Sequence, residues 1–542
     1  MFATTFNTTN AMKRLLPLGL AALGAIFSGA AQAAAPGITG PTFTLQASPA
    51  NITQPDGQQI YSWGYGCVGT PSYAPAAIGG TFCNAMQLPG PTLIVTEGQS
   101  VSVTLTNNLP AAAGNTSILF PGFTTTATGG VAGLLTQEAV PGGSVTYTFT
   151  ASTPGTHAYY SGTQGDLQVE MGLFGALIVL PAHVPGNCSA GLPAANPGGN
   201  AAAQAAWKET DFRLSQSAYD HAATCYDREY LFQFSEMDPA IHTAALAQVM
   251  AKVGCTAGTP GCSLDVPTEP YHPAYFMING RSMPDDMDPN YAPMYPNQPY
   301  NGNPHMHPGE ITLLRIIGQG RWQHPFHEHA NHVRILARDG NLLLSPKGNL
   351  AGPLMFTTTT TPGIAMDGLF YFTGRGLNWD MYGHNAGSSD ANAKLTCTPD
   401  ANGYNTGAPT AINYFEWCQD HDKPMQAAPF GDVASGGPMT LPDPNIFKNG
   451  TWYGGSPYLG PDATSRATFG TCTGVNTTTA CSSTGTTTPT GTVVNPPSTE
   501  AGYAFMWHSH NEREITTNNI FPGGMMMMML VDSREFRIDE SQ

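Results

Sequence analysis

Apolar and polar residues alternate along two segments of the first third of the chain. Over residues 101–106 and again over residues 145–150, Val, Leu, Tyr or Phe alternates with Ser or Thr. Because successive side chains of a β-strand point to opposite faces of its sheet, a period of two predicts strands that are buried on one face. Pairs of Pro and Gly separate these runs and supply turns. The first third of the chain is therefore predicted to be a β-domain.

Mostly apolar runs predict the remaining strands. These runs cover residues 91–95, 173–180, 230–234, 275–278, 311–317, 333–337, 369–373, 503–507 and 525–531. Asp238 is a good N-cap and Pro239 suits the first helical position, so the Ala-rich stretch from there to Val253 is predicted to be a helix. The expected fold class is all-β, with β-sandwiches, long loops and one short helix.

Composition divides the chain into two predicted domains. The first covers residues 34–182, and a linker rich in Pro, Gly and Ala follows at 183–205. The second covers residues 206–531, interrupted at 375–500 by an insertion rich in Gly, Thr, Asn and Pro, and residues 532–542 form a tail. Insertions of this length are uncommon and are typical of functional or poorly ordered segments. A division into three domains is the alternative interpretation.

The N-terminus has the features of an export signal. Lys13 and Arg14 precede an apolar run over residues 15–30, and Ala31-Gln32-Ala33 supplies the small residues that a signal peptidase recognises. Residues 1–33 are therefore predicted to be a signal peptide, which indicates a periplasmic or extracellular protein. The apolar run is too short for a comfortable membrane span, and no later stretch is long and apolar enough for one.

Charge and cysteine content narrow the partners and the compartment. The chain has 20 Lys and Arg against 37 Asp and Glu, a formal net charge of −17, and an acidic protein repels phosphate backbones and anionic lipids. Nucleic acid and membrane surfaces are therefore not expected as partners. An even number of cysteines in an exported protein predicts disulfides. Sequence alone leaves their connectivity open, and the expectation is that neighbours pair: Cys67–Cys83, Cys188–Cys225, Cys255–Cys262, Cys397–Cys418 and Cys472–Cys481.

Histidines concentrate in two clusters, at residues 324–329 (His-Pro-Phe-His-Glu-His) and 508–510 (His-Ser-His). Residues i and i+2 of a strand project to the same side, so His327 with His329, and His508 with His510, present paired imidazoles. Imidazole suits copper and zinc. A lone strand histidine is usually a satisfied polar residue, but two such pairs in one chain indicate a metal site.

These clusters resemble motifs of the multicopper oxidases, the family of laccases and bilirubin oxidases. Residues 324–329 are similar to the family's HPxHxH motif, and residues 507–525 are similar to the frame of its HCHxxxHxxxxGM motif. The likeness extends to residues 88–98, 139–156, 172–179 and 278–281. The resemblance covers most of the chain beyond residue 33 and implies tandem cupredoxin-like Greek-key β-sandwiches.

The chain departs from the family at the cluster that reduces dioxygen. In a working member, eight histidines in four His-x-His pairs hold three copper ions. The resemblance places Leu119 and Pro121 where the first pair is expected, and Tyr160 and Gly162 where the second is expected. Half of the cluster histidines are therefore replaced. The other half is present and is expected to face inward across neighbouring strands: His327, His329, His508 and His510.

The mononuclear type 1 copper site also differs. In the family it uses two histidines, a cysteine and often a methionine to accept electrons from the substrate. Here Ser509 stands in place of the cysteine and Glu514 where the second histidine is expected, while His324 and Met525 remain. A serine hydroxyl cannot supply the thiolate of a blue copper site. Neither blue copper nor four-electron reduction of dioxygen is therefore expected.

Three or four imidazoles suffice for one metal ion with an open coordination position. The expected cofactor is copper, in fewer ions than a complete family member holds, with zinc as the alternative. His324, Glu514 and Met525 are weaker ligand candidates, and Glu328 and Glu512 are nearby carboxylates that could complete the shell. The opposing interpretation is a relic in which the imidazoles hydrogen-bond to one another, to the backbone, to Glu or to water.

Two further segments contain soft ligands. Residues 525–529 are five consecutive methionines, and thioethers favour Cu(I), but methionine is also a good core filler and core packing is the preferred interpretation. His305, Met306 and His307 lie in loop-like sequence together with nearby methionines. Exposed loop residues without a role are preferred there over a copper-loading site.

Three functions are compatible with the sequence. The first is an exported protein that binds copper or another divalent metal. The second is a copper-dependent oxidoreductase that acts on metal ions or phenols at a rebuilt site. The third is a metal-free structural or interaction module that uses the 375–500 insertion as its contact surface. Two-domain relatives commonly assemble as trimers with copper between subunits, so oligomerisation is compatible with the resemblance, although the lost first-domain ligands remove the basis for inferring it.

Overall fold

The computed structural model describes residues 34–78, 82–189, 201–372, 396–411, 413–419, 503–531, 538 and 540. The predicted signal peptide, most of the 375–500 insertion, most of the tail and the predicted Cys472–Cys481 pair lie outside these residues. Strands dominate the part of the chain that is described, so the predicted all-β class is confirmed.

The first half contains two five-stranded sheets. Its strands are β1 (Gly37–Thr39), β2 (Thr42–Thr53), β3 (Gln59–Cys67), β4 (Tyr73–Ala74), β5 (Leu93–Thr96), β6 (Ser100–Asn107), β7 (Thr126–Gly129), β8 (Val131–Ala132), β9 (Gln137–Glu138), β10 (Ser144–Thr150), β11 (Gly155–Tyr160) and β12 (Phe174–Leu180). One sheet has the order β11-β12-β5-β1-β4 and the other β3-β2-β6-β10-β7, while β8 and β9 form a separate hairpin.

The core of this half lies between the two sheets. Burial alternates along β6 and β10 as predicted, and their inward side chains, such as Val103 and Tyr147, pack with Trp63 of one sheet and Leu177 of the other. Fully burying one such side chain contributes roughly 1.5–3 kcal/mol to stability. The alternation of apolar and hydroxyl residues in the sequence therefore reflects one buried face on each strand of this sandwich.

The second half is also a sandwich of two sheets. Its strands are β13 (Arg228–Met237), β14 (Tyr275–Ile278), β15 (His305–Met306), β16 (Ile311–Gly318), β17 (His324–Glu328), β18 (Val333–Arg338), β19 (Asn341–Leu342), β20 (Leu354–Met355), β21 (Thr357–Thr360), β22 (Ala365–Tyr371), β23 (Tyr503–Ser509) and β24 (Met526–Val531). One sheet has the order β14-β13-β16-β22-β18-β19, with β20 on β18, and the other β15-β24-β23-β17-β21. An aromatic core that includes Phe232, Phe326 and Trp507 fills the space between them.

Two predictions about this half were wrong in detail. Strand β22 begins at Ala365 rather than at residue 369. The prediction missed its start because Asp367 and Gly368 interrupt the apolar pattern, although both are buried. His305 and Met306 form the short edge strand β15, which pairs in parallel with the end of β24 and is buried, whereas an exposed loop was expected. The pairing partner of β15 is remote in sequence, so no local pattern indicates it.

Four α-helices are described: α1 (Gly165–Gln168), α2 (Gly186–Ser189), α3 (Ala201–Trp207) and α4 (Pro239–Ala251). The predicted helix is α4, where the side chain of Asp238 caps the N-terminus by accepting a hydrogen bond from Ala240 N at 2.9 Å. Helix α2 and most of α3 lie within the segment predicted to be a linker, and with α1 they exceed the single helix expected. None of the described helices is long and apolar enough to cross a membrane.

The two halves pack directly against each other. Ile94 and Ile178 of the first half share an apolar cluster with Leu231 and Ile317 of the second. Beside this cluster, the buried carboxylate of Asp367 accepts hydrogen bonds from the backbone N of Thr156 at 3.1 Å and from its Oγ1 at 2.5 Å. The polar residue that interrupts the β22 pattern is therefore a hydrogen-bonded link between the halves.

Four of the five predicted disulfides are confirmed: Cys67–Cys83, Cys188–Cys225, Cys255–Cys262 and Cys397–Cys418. The last lies in the described part of the insertion. There Tyr404, Tyr414 and Phe415 pack near Trp207 of α3. A disulfide thus closes a loop within this part of the insertion, and an aromatic contact packs it against the second half.

Candidate metal centre

Strands β17 and β23 bring the two histidine clusters together. They are antiparallel neighbours, and His327 lies directly opposite His508 in their register. Because side chains two residues apart project to the same side, His329 and His510 follow on the same face. Phe326 and Trp507 alternate with the histidines and point into the core instead. The strand period therefore puts imidazoles on one face and aromatic anchors on the other.

Three imidazoles converge on one region of this face. His327, His329 and His508 each offer a ring nitrogen, and these three nitrogens lie within 4.8 Å of one another. The Nε2 atoms of His329 and His508 are 3.2 Å apart. Ligand nitrogens about 2 Å from a shared copper or zinc ion lie roughly 3–4 Å from each other, so the spacing fits one metal ion.

Backbone carbonyls orient two of these rings. His327 Nδ1 donates a hydrogen bond to Phe356 O at 2.5 Å and lies 2.9 Å from Thr357 Oγ1, while His508 Nδ1 donates to Ser509 O at 2.7 Å. Nδ1 of both rings carries the proton, and Nε2 is then the atom with a lone pair for a metal. Metal-binding histidines in proteins characteristically donate their other N–H in this way. Burial lowers the pKa of His508 to about 4, so this ring is neutral at pH 7.

The other predicted members of this site lie at its edge or outside it. The ring of His510 is exposed, and its centroid lies 5.0 Å from that of His327 and 5.6 Å from that of His508. Glu328 is buried on the opposite face of β17, where it accepts a hydrogen bond from Thr358 Oγ1 at 2.8 Å and burial raises its pKa to about 8. Glu512 is exposed. Glu328 therefore belongs to the core rather than to the shell of the imidazoles.

His324 lies between two carboxylates. Its Nδ1 is 2.9 Å from Glu514 Oε2, and its Nε2 is 2.9 Å from Glu236 Oε2. Each of the three residues exposes at most 2% of its surface to solvent. Burial lowers the pKa of His324, but the hydrogen bonds to the two carboxylates outweigh burial and raise it to about 9. Glu236 is the residue that sequence reasoning missed, because it precedes His324 by 88 residues and no local motif marks it.

The first-half residues that stand at the family's histidine positions also lie together. Leu119 and Tyr160 pair as backbone neighbours, with Leu119 N donating to Tyr160 O at 2.8 Å. Gly162 approaches Leu119 so closely that a Cβ on it would lie 2.8 Å from Leu119 Cγ. Pro121 follows two residues after Leu119, and none of these four side chains offers a nitrogen or sulfur ligand. Apolar packing occupies this position.

A second group of possible ligands lies near β15. Glu209, His307 and Glu310 have ligand atoms within 4.8 Å of one another. The guanidinium of Arg228 lies between the carboxylates, with Nη2 2.9 Å from Glu209 Oε2 and Nε 2.5 Å from Glu310 Oε2. Burial raises the pKa of Glu209, but His307 and Arg228 outweigh burial and hold it below its usual range. An arginine already supplies the positive charge here, which argues against a cation at this group.

The methionine run and Met525 lie in the protein core. Met525, Met527 and Met529 each expose at most 1% of their surface and belong to the aromatic core of the second half. Met526 and Met528 are buried as well, and Met528 N lies 3.3 Å from Met287 Sδ. The environment of the run is that of packed core residues, as the sequence favoured.

Part of the chain is similar to known copper proteins. Residues 80–183 match the family model described as multicopper oxidase. Laccase abr2 from Aspergillus fumigatus is 37% identical over 98 residues, which cover 18% of this chain and 16% of the laccase. The copper-containing nitrite reductase from Pseudomonas chlororaphis is 38% identical over 112 residues, which cover 19% of this chain and 28% of the reductase.

Over this part of its length the chain is similar to the multicopper oxidases, as its motifs predicted. Its matches span less than a third of the length of those relatives. The family model covers the half in which the ligand positions are replaced, and both histidine clusters lie outside the matched residues. Among solved structures, the blue copper oxidase from Nitrosomonas europaea aligns over 90% of this chain and 85% of its own, with 15% identity and a TM-score of 0.42.

Proposed function

We propose that this protein is an exported copper-binding protein that holds the metal through His327, His329 and His508, with His510 at the open edge. The observation that carries the proposal is the convergence of the first three imidazoles, whose ligand nitrogens lie within 4.8 Å of one another. The bound ion would supply redox chemistry at a single site. Laccase-type reduction of dioxygen is not part of the proposed function.

The chemistry of the donor set favours copper. Imidazole binds copper and zinc, and a given nitrogen site binds Cu(II) more tightly than Zn(II). The hydrogen bonds from Nδ1 of His327 and of His508 fix the tautomer in which Nε2 can bind a metal. His329 Nε2 then donates to His508 Nε2, and a metal would displace this proton. Zinc is the competing ion, since it accepts the same ligands.

The missing ligands argue against laccase turnover. Leu119, Pro121, Tyr160 and Gly162 stand at positions where histidines are expected for a trinuclear cluster, and Ser509 stands where a type 1 copper has cysteine. Without the thiolate there is no electron path of the family type from a substrate to the histidines. A one-copper site lacks the stored electrons for four-electron reduction of dioxygen.

Export is supported by the N-terminal pattern and by the disulfides. Four disulfides are present in the described residues, and such bonds persist in oxidising compartments. The periplasm or the extracellular medium is the compartment that fits both features. Extracellular copper occurs as Cu(II), which matches the preference of imidazole ligands.

Metal analysis after equilibrium dialysis tests the proposal. The full-length protein, stripped with EDTA, is dialysed against Cu(II) or Zn(II), and bound metal is measured by mass spectrometry. We expect one tightly bound copper per chain in the wild type and in His272→Ala, which removes an exposed histidine that is not among the converging imidazoles. We expect its loss in His508→Ala. A wild-type protein that binds no copper would support a metal-free interaction module instead.

Oxygen consumption distinguishes the binding protein from an oxidoreductase with a rebuilt site. The copper-loaded protein is incubated with a phenol or with Mn(II) in an oxygen-electrode cell. We expect no uptake above that of the His508→Ala variant. Sustained uptake that requires His508 would assign the oxidoreductase function.

A further inference from the structure

We infer that Glu236, His324 and Glu514 form a metal-free ionic clamp, which replaces the type 1 copper as the link between strands at this position. The clamp joins β13 of one sheet, β17 of the other and the loop that follows β23. It therefore connects three segments that are distant in sequence, as a metal ion does with ligands. This inference does not depend on copper at the other histidines.

The Glu514 end of the clamp is fully hydrogen-bonded. Glu514 Oε2 accepts from His324 Nδ1 at 2.9 Å and from Ser509 Oγ at 2.5 Å, and its Oε1 accepts from Asn511 Nδ2 at 2.9 Å. Ser509 thus donates to the same carboxylate oxygen as His324. The residue at the cysteine position therefore serves the clamp rather than a metal.

The Glu236 end is equally satisfied. Glu236 Oε2 accepts from His324 Nε2 at 2.9 Å, while its Oε1 accepts from the backbone N–H groups of Arg321 and Trp322 at 2.7 and 2.8 Å. Gly320, with φ of +68°, lets the backbone come this close, because a Cβ there would lie 2.5 Å from Glu236 Oε2. A buried polar network is stable when every member has a partner, and this one meets that condition.

Tyr271 extends the clamp to the first half of the chain. Its hydroxyl lies 2.7 Å from Glu170 Oε2 and 3.3 Å from Glu236 Oε1. Glu170 belongs to the first half of the chain. Its Oε1 accepts a hydrogen bond at 2.7 Å from Asp238 N, which belongs to the second half. The same buried network therefore helps to hold the two sandwiches together.

The geometry leaves no room for a metal at His324. A copper or zinc ion would lie about 2 Å from the ring nitrogen that it binds, but a carboxylate oxygen lies 2.9 Å from each nitrogen of this ring. An ion would have to displace one carboxylate and leave its other donors unsatisfied. Removing one partner of a buried ion pair is strongly destabilising, so the clamp resists this exchange.

Thermal unfolding of the metal-free protein in EDTA tests the clamp. His324→Gln should lower the melting temperature by roughly 5 °C more than His157→Gln, which replaces a buried histidine that donates to the Thr153 carbonyl instead of to a carboxylate. Glu514→Gln should also lower the melting temperature. The double variant should lose no more than His324→Gln alone, since both substitutions break the same contact between His324 and Glu514. Equal losses in His324→Gln and His157→Gln, or additive losses in the double variant, would overturn the inference.

Metal content supplies the second test. The His329→Ala/His508→Ala variant, which lacks the converging imidazoles, is dialysed against Cu(II) and Zn(II). We expect the metal content of this variant to stay the same when His324→Gln is added. One tightly bound ion that does depend on His324 would overturn the inference. An absence of copper from the wild-type protein would contradict the proposed function alone, because the clamp is tested in EDTA.

Discussion

Glu514 Oε2 lies 2.9 Å from Nδ1 of His324, on a ring whose Nε2 is equally close to Glu236. Three residues further along the same strand, His327 lies opposite His508 in a cluster of imidazoles with no carboxylate among its three ligand atoms. One strand thus carries two kinds of histidine. The first is held by protein charges, and the second is arranged as metal ligands usually are.

The stability that His324 contributes should decline at alkaline pH. Its pKa is about 9 in the folded protein against an ordinary value of 6.5, so the protonated ring stabilises the fold fully below pH 6.5. This contribution is lost as the pH rises through 9. Urea unfolding of the wild type and of His324→Gln between pH 6.5 and 9.5 should therefore show a shrinking difference in the free energy of unfolding. A difference that is the same across this range would contradict the assignment.

Copper affinity should depend on the hydroxyl of Thr357. This hydroxyl lies 2.9 Å from His327 Nδ1 and supports the ring orientation that presents Nε2. Loss of an outer-shell partner typically costs roughly 10–100-fold in metal affinity, and Thr357→Val should be at the lower end because the Phe356 carbonyl still accepts from the ring. Thr359→Val, on the same strand but exposed, is the matched control and should bind Cu(II) like the wild type. Competition titration with a chelator measures both.

The contact between the halves should depend on Asp367. Its buried carboxylate accepts from Thr156 N and Oγ1 and from the hydroxyl of Tyr219, and it lies 3.8 Å from Arg315. Asp367→Ala leaves these buried donors unsatisfied and should cost about 3–5 kcal/mol in the free energy of unfolding. Asp220→Ala, which removes an exposed carboxylate, should change it by less than about 0.5 kcal/mol. Equal losses would contradict the role given to Asp367.

The disulfides should contribute in the order of the loops that they close. Cys188–Cys225 spans 37 residues and Cys255–Cys262 spans 7. In the chain-entropy model these loops correspond to about 4 and about 2 kcal/mol of stability. Replacing each pair with serine and measuring unfolding in urea should give the larger loss for the longer loop. The reverse order would mean that contacts in the folded state decide the loss.

Local periodicity accounts for what could be predicted from the sequence. Strands β6 and β10 alternate between apolar and hydroxyl residues because one face of each is buried, and both were placed correctly. The His-x-His spacing indicated that His327 and His329 share a face, and the resemblance to the family indicated which strand lies beside them. Helix α4 was predictable since its capping residue and N-terminal proline are adjacent in sequence.

Long-range polar contacts account for what could not be predicted. All ten residues of β13 are buried, including Glu236, although only its apolar centre at 230–234 was predicted to be a strand. Charged residues in such a strand are stable only when remote partners satisfy them, as His324 does for Glu236. The same holds for Asp367 in β22, whose partner Thr156 lies in the other half. No pattern within a short window identifies such pairs.

Counting the imidazole ligands of bound copper tests the central claim most directly. X-ray absorption and pulsed electron paramagnetic resonance on the Cu(II)-loaded full-length protein should report about three imidazole nitrogens at about 2 Å. The His329→Ala variant should report one fewer, and neither sample should show the intense absorption of a copper–thiolate bond. A nitrogen count that is unchanged by His329→Ala would contradict the claim that His327, His329 and His508 bind one metal ion.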